Sequence, residues 1–212
     1  MIAPHADDEV IGCGGTIAKA AAGGARVDLV VMAVGGVRHR HLNEAVSTER
    51  REAELAASSK VLGITQAKVL YSGHEMRLER VPMYDLVSAL DAILDEGYDE
   101  VYLPPLDHNA DHRRTHDAAV AALRPGARPT PAMIAIYETV GTGPPSPAAG
   151  WVYVDIADPI ESKLAALRCY ASQIQEYPHP RSVDAIRRMA ESRGAEIGRE
   201  ACERFALLRM VR

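Results

Sequence analysis

Four side chains able to move protons or bind a cation crowd the first nine residues: His5, Asp7, Asp8 and Glu9. One imidazole and three carboxylates so close together are poor material for a core and good material for a site. They follow a short apolar stretch and precede residues with helical spacing, so they belong to a strand-to-helix turn. In open α/β sheets, ligands bind at such ends of strands. His5 and Asp8, three residues apart across the turn, can face one point, which leaves Asp7 free to handle a proton. A plainer reading of the three carboxylates is helix capping, since the positive end of a helix favours anions.

A second polar cluster runs from Asp107 to His116 and includes His108, Asn109, Asp111 and His112. It has the same layout, following an apolar segment and opening a helix. Parallel strands place such turns on one edge of a sheet, so the two clusters can meet. Catalytic zinc commonly takes three protein ligands from His and carboxylates and keeps a fourth position for water. His5, Asp8 and His112 supply that set. A zinc ion lowers the pKa of its water from about 15.7 to about 7, and Asp7 could then act as general base. Asp111 suits a supporting role, orienting an imidazole through its other ring nitrogen. His116 lies one turn beyond His112 and reads as a rim residue, as support behind the ligands, or as plain surface. Arg51, near the start of a helix where a cation is unfavourable, reads as a ligand contact or as a partner of Glu54.

The elements that must position these residues alternate. Residues 1–3 form a strand too short for a good central one. A helix over 8–22 follows, with Val10, Ile11, Ile17, Ala18 and Ala21 at helical spacing and Gly23-Gly24 stopping it. Strands are expected at 26–34, 67–71, 100–103, 131–138 and 152–156, and helices at 47–62, 81–94, 111–123, 159–172 and 183–195. Residues 201–211 fit a final strand slightly better than a helix. The pattern implies an α/β fold: a Rossmann-like, mostly parallel sheet with helices on both faces, in one domain over residues 1–212. Three loops could carry specificity: 35–44 with its two histidines, 72–80, and the Gly/Pro-rich 141–150. The histidine-bearing loop reads equally as solvated surface. Gly12, Gly14 and Gly15 lack a full dinucleotide fingerprint and are better explained by close helix–sheet packing.

Bulk properties narrow the class. The chain has 212 residues, 47% of them hydrophobic, and a net charge of −5, which gives no electrostatic reason to expect nucleic acid. No apolar run is long enough for a membrane span. No signal-peptide pattern precedes the first cluster, and three scattered cysteines suit a reducing compartment, so a cytoplasmic location is expected.

The segment Ala3-Pro4-His5-Ala6-Asp7-Asp8-Glu9 followed by Gly12-Cys13-Gly14-Gly15-Thr16 resembles the signature of the LmbE-like, or PIG-L, N-acetylglucosaminyl deacetylase family. Asn109-Ala110-Asp111-His112 resembles its second motif. Weaker similarities continue through Arg51, Glu54, Leu62-Gly63, Tyr137-Glu138, Lys163 and Ala171-Ser172-Gln173. The resemblance implies a Rossmann-like fold and zinc-dependent hydrolysis of an N-acyl group, usually acetyl, from an amino sugar. It implies one Zn²⁺ held by His5, Asp8 and His112, and Asp7 as general base. It also implies a small-molecule partner and leaves a homo-oligomer open. Two positions depart from the family pattern. Ala6 replaces the usual Pro, and Asn109 stands where a His is common. Asn109 can donate to an oxyanion but cannot shuttle a proton, so Asp7 is left as both base and acid. Arg51, His108 and His116 are the substrate-binding candidates. The alternative is a non-catalytic zinc-containing binding or regulatory protein derived from such a deacetylase.

Overall fold

The computed structural model describes residues 1–36, 45–126, 128–141 and 150–212. In chain order the elements are β1 (Ile2–Ala3), α1 (Asp8–Ala22), β2 (Asp28–Val34), α2 (Thr48–Leu62), β3 (Gln66–Ser72) and a 3₁₀ turn (Leu78–Arg80). They continue with α3 (Met83–Leu94), β4 (Glu100–Leu103), α4 (Ala110–Ala122), β5 (Met133–Tyr137), β6 (Trp151–Asp155), α5 (Ile160–Cys169), α6 (Val183–Ala195) and β7 (Cys202–Met210). The helix after the first cluster has the expected bounds, as do β4 and α6. Helix α2 is capped as expected by Ser47, whose Oγ accepts from Arg50 N, and is closed by Gly63 in a left-handed conformation. The 3₁₀ turn falls where a plain loop was expected.

Strands β1, β2 and β3 form a parallel sheet in that order, and β4, β5, β7 and β6 form a second. The β4–β5 pair is parallel, but β7 runs antiparallel to both of its neighbours. The first sheet and the β4–β5 pair are parallel, β6 runs in the direction of β5, and β7 alone departs, entering between them in the opposite direction after α5 and α6.

Strand β2 shows why both faces carry helices. Leu29 and Val31 join the core that includes Val10, Ile17, Leu55, Leu164 and Leu167, from α1, α2 and α5. Val30 and Met32 join the core of Leu86, Leu90, Ala118 and Ala119, from α3 and α4. The period-2 alternation of a strand serves two layers at once. The first strand is as short as expected, although Val30 N donates to Met1 O and Ala33 N to Pro4 O, which extends its pairing at both ends.

The glycines of α1 mark close approach to the sheet. A Cβ at Gly12 would lie 2.3 Å from Tyr137 Cδ2, and one at Gly15 would lie 2.7 Å from Ile156. A buried ion pair then fastens the helix. Lys163 Nζ lies 2.5 Å from Glu203 Oε1 and donates to Ile11 O, while Gly15 N, Thr16 N and Thr16 Oγ1 donate to Glu203. Ile11 O and Gly15 N are i, i+4 partners in a regular helix, so the pair engages α1 at its own hydrogen-bonding groups.

Substitutions at the glycine wedge and at the ion pair should both destabilise, for different reasons. Gly12→Ala gains about 1 kcal/mol of helix propensity, but the clash with Tyr137 outweighs it, with a net loss of about 1–2 kcal/mol in denaturant unfolding. Lys163→Met leaves Glu203 buried without its ammonium and costs about 3–5 kcal/mol. The double variant Lys163→Met/Glu203→Gln should lose less than the sum of the two single variants.

Candidate functional site

The turn between β1 and α1 is built under strain. Asp7, the N-cap of α1, has φ 117° and ψ −27°, a conformation that costs a non-glycine residue about 1–3 kcal/mol and persists only where its surroundings over-determine it. Several contacts do so here. Val10 N and Ile11 N donate to Asp7 O at 3.1 and 3.0 Å. Asp7 N donates to Glu9 Oε2 at 3.0 Å, and Tyr170 Oη donates to the other Glu9 oxygen. Arg51 Nη2 donates to Ala6 O at 2.6 Å.

This turn and the start of α4 bring His5, Asp8 and His112 together, all buried, with one ligand atom from each within 4.8 Å of the others. The point of convergence is Asp8 Oδ2. His5 Nδ1 lies 3.5 Å from it and His112 Nε2 3.3 Å. Each imidazole is held from behind by a carboxylate. His5 Nε2 is 3.0 Å from Asp111 Oδ2, and His112 Nδ1 is 2.6 Å from Asp107 Oδ2. With its proton on the carboxylate side, each ring turns its other nitrogen toward Asp8. The Asp111 carboxylate is fixed in turn by Met76 N at 2.7 Å and Leu78 N at 3.0 Å.

The donor set fits a divalent cation on three counts. Two imidazole nitrogens and one carboxylate oxygen are a usual zinc set. His112 Nε2 is buried and makes no hydrogen bond among the described residues. The local field also favours positive charge. At His5, burial opposes protonation, but the Asp111 and Asp8 carboxylates outweigh it and raise the pKa to about 9. At His112, Asp8 and Asp107 outweigh burial and raise it to about 10. Asp8 itself is held well below the usual carboxylate range, because the two imidazoles overcome its burial.

Asp7 stands beside this group without joining it. Its carboxylate is buried, and Oδ2 lies 3.2 Å from Arg181 Nη1. Burial raises its pKa above the ordinary value, with Arg181 opposing and Asp8 adding to the rise.

The other expected residues divide. Asp111 lies behind His5, in the orienting position anticipated for it. Asn109 is the N-cap of α4, its Oδ1 accepting from Asp111 N at 2.9 Å, while its Nδ2 faces Met76 Sδ at 3.6 Å. His108 is exposed on the loop between β4 and α4. Arg51 is fully enclosed: its Nη2 donates to Ala6 O and to Glu75, and its Nε and Nη1 have no hydrogen-bond partner among the described residues. Its expected partner Glu54 is only 4.0 Å away at the nearest and instead accepts from Ser172 N and Oγ. His116 is buried rather than plain surface, with Nδ1 2.7 Å from Pro104 O, in the loop that carries Asp107, a placement that suits support behind His112. His39, His41 and most of the 35–44 and 141–150 loops lie outside the described residues. Asp107, Arg181, Glu75 and Tyr170 went unread in the sequence. Only Asp107, an acid close before a metal-type histidine, carried a signal there.

With this geometry established, comparison with known proteins places the chain. Residues 1–123 match the model of the PIG-L family, described as GlcNAc-PI de-N-acetylase, and the chain belongs to that family. Among solved structures it is similar to the conserved protein TT1542 from Thermus thermophilus, at 26% identity over all of this chain and 94% of that one, with a TM-score of 0.79. It is also similar to the N,N'-diacetylchitobiose deacetylase of Pyrococcus horikoshii, at 29% identity over 98% of this chain and 82% of that one, with a TM-score of 0.74. The 4-carboxy-2-hydroxymuconate hydratase GalB of Pseudomonas putida shares the fold, at 19% identity over 100% of this chain and 96% of that one, with a TM-score of 0.79. No curated protein sequence matches the chain.

The carboxylates behind the imidazoles give a direct test. Asp107→Asn and Asp111→Asn should each weaken zinc affinity about 10- to 100-fold, read by competition with a chromophoric chelator, whereas Asp8→Ala should abolish stoichiometric binding.

Proposed function

We propose that the chain is a zinc-dependent hydrolase that removes an N-acyl group, in the first instance acetyl, from an amino sugar or a sugar-containing metabolite, cutting a linear C–N amide bond. The observation that carries this reading is the convergence of His5 Nδ1 and His112 Nε2 on Asp8 Oδ2, with a further buried carboxylate, Asp7, beside it and outside the converging set. The family's description and the chitobiose deacetylase among the similar structures support the acyl and sugar classes.

In this reading His5, Asp8 and His112 hold one zinc ion per chain. When bound, that ion would act as a Lewis acid on the amide carbonyl and lower the pKa of a water to about 7. The raised pKa of Asp7 suits a group that must both accept and return a proton. Its carboxylate takes a proton from the attacking water and delivers it to the leaving nitrogen as the C–N bond breaks. The products are a carboxylate and a free amine. Asp107 and Asp111 keep both imidazoles in one tautomer throughout. His108, exposed beside the site, remains the histidine placed to meet substrate. Asn109 serves the fold first, through its cap on α4, so no second proton carrier is invoked.

The reading includes one domain over residues 1–212, a cytoplasmic location, a small-molecule substrate rather than nucleic acid or membrane, and self-association as an open property. Its support is the modest acidic charge and the three free cysteines. In addition, among the described residues no helix is long and apolar enough to cross a membrane.

The test is a panel of N-acetylated amino sugars and their conjugates, scored by free amine and acetate. Zinc-loaded wild-type protein should release acetate from at least one of them. Asp7→Asn should lower the rate about 100- to 10,000-fold while binding zinc normally. A well-metallated protein that cleaves no member of the panel overturns the reading.

A further inference from the structure

Arg181 is the one cation that reaches the Asp7 carboxylate from the C-terminal part of the chain, beyond the residues matched by the family model. Its backbone is fixed. Gln175 N donates to Arg181 O, Arg181 N donates to His179 Nδ1, and the next residue, the buried Ser182, caps α6 by accepting from Ala185 N. From that anchor the side chain reaches over the site. Nη1 is 3.2 Å from Asp7 Oδ2, and Asp8, Glu75 and Asp107 are the other charges that act on it.

Two features distinguish this arginine from a structural clamp. Its side chain is 33% exposed, whereas the other arginine of the site, Arg51, is 1% exposed. Asp7 is also the only side chain among the described residues to which its guanidinium donates. A guanidinium has five N–H donors in a rigid fork matched to paired oxygens. One is used here, and the side chain is open to solvent beside the acid that faces the reacting bond. The site is otherwise rich in carboxylates, its other guanidinium, Arg51, is fully enclosed, and Asn109 spends its Oδ1 on Asp111 N and sets its Nδ2 3.6 Å from Met76 Sδ.

We propose that Arg181 is a substrate-contacting residue whose free guanidinium N–H groups bind the acyl oxygen as it gains negative charge, and then bind the carboxylate product. The inference rests on the deacetylase reading for its substrate but not for its anion chemistry. Because the donor is fixed before substrate arrives, it needs little reorganisation as the charge forms, and this is the property that makes such donors effective. The Asp7 contact keeps the fork aimed at the site while the acid is idle. Arg181 thus adds a charged donor to the site from a different part of the chain.

The experiment compares wild type with Arg181→Met and Arg181→Lys, all zinc-loaded, by calorimetric titration with methylphosphonate as a tetrahedral oxyanion probe and acetate as a product probe. Methylphosphonate should bind wild type at least tenfold more tightly than Arg181→Met, with Arg181→Lys between them and with zinc content and melting temperature unchanged. On a cleaved substrate, kcat should fall about 100- to 1,000-fold in Arg181→Met, and added guanidinium should restore part of it. Equal anion affinity in wild type and Arg181→Met overturns the proposal. So does a loss of zinc or of melting temperature in both variants, which would make Arg181 a structural residue. If wild type cleaves nothing yet binds methylphosphonate through Arg181, the deacetylase reading fails and the anion site stands. If wild type cleaves substrate and Arg181→Met cleaves it equally well, only the arginine proposal fails.

Discussion

A single carboxylate joins the three turns from which the site is made. Asp111, at the start of α4, receives His5 Nε2 from the turn after β1, and Met76 N and Leu78 N from the segment after β3. Other polar contacts link these segments in pairs, as His112 Nε2 with Asp8 Oδ2 and Asn109 Nδ2 with Met76 Sδ do, but Asp111 ties all three at one group. With it, the orientation of His5 is set by a group that does not itself belong to the converging donors. Three hydrogen bonds into one buried carboxylate also offset the cost of burying it. His5 and the two backbone N–H groups outweigh desolvation and hold its pKa below the ordinary value. An ionised Asp111 then keeps the His5 proton on Nε2, and that leaves Nδ1 turned toward Asp8.

The strain at Asp7 depends on the same kind of cross-bracing. A left-handed aspartate would relax to a commoner conformation if the turn were free to move. It is not free, because Glu9 with Tyr170 holds its N–H from below and Arg51 holds the preceding carbonyl. These restraints come from α1 itself, from α2 and from the segment after α5. Helix α1 cannot slide to relieve the turn either, being wedged by its glycines against Tyr137 and Ile156 and fastened by Lys163 and Glu203. Interior packing and the buried ion pair therefore act on the chemistry through one element, the first helix.

The extent to which this was legible in sequence follows the range of each interaction. His5, Asp7 and Asp8 fall within one turn, and residue type and spacing suffice to read them. His112 and Asp111 repeat that layout after a later strand, so parallel topology brings them into view. Asp107 depends on the path of a loop, which period and propensity do not describe. Arg181 is 174 residues from Asp7, and nothing local distinguishes it from the other arginines of an arginine-rich chain. For Arg51 and His116 residue type points to the neighbourhood of a site, but only the fold shows that they are buried and bonded to Ala6 O and Pro104 O. The reversal at β7 depends on where the strand inserts, between β5 and β6, which period and propensity do not describe.

A fold shared with a hydratase as well as with a deacetylase cannot carry a reaction by itself. The discriminating features are local. A hydrolase of this design needs a cation held with one face open, a base that the cation does not consume, and a donor for the charge that appears on oxygen. On the proposed reading the turn after β1 and the start of α4 supply the first two within the part of the chain that matches the family model. For the third, Asn109 caps α4 through Oδ1, with its amide nitrogen 3.6 Å from Met76 Sδ. The segment before α6 presents a guanidinium at that side of Asp7. The C-terminal part of the chain therefore does more than complete the sheet with β6 and β7. It adds a partly exposed positive charge beside Asp7, where the N-terminal part contributes an arginine, Arg51, that is fully enclosed.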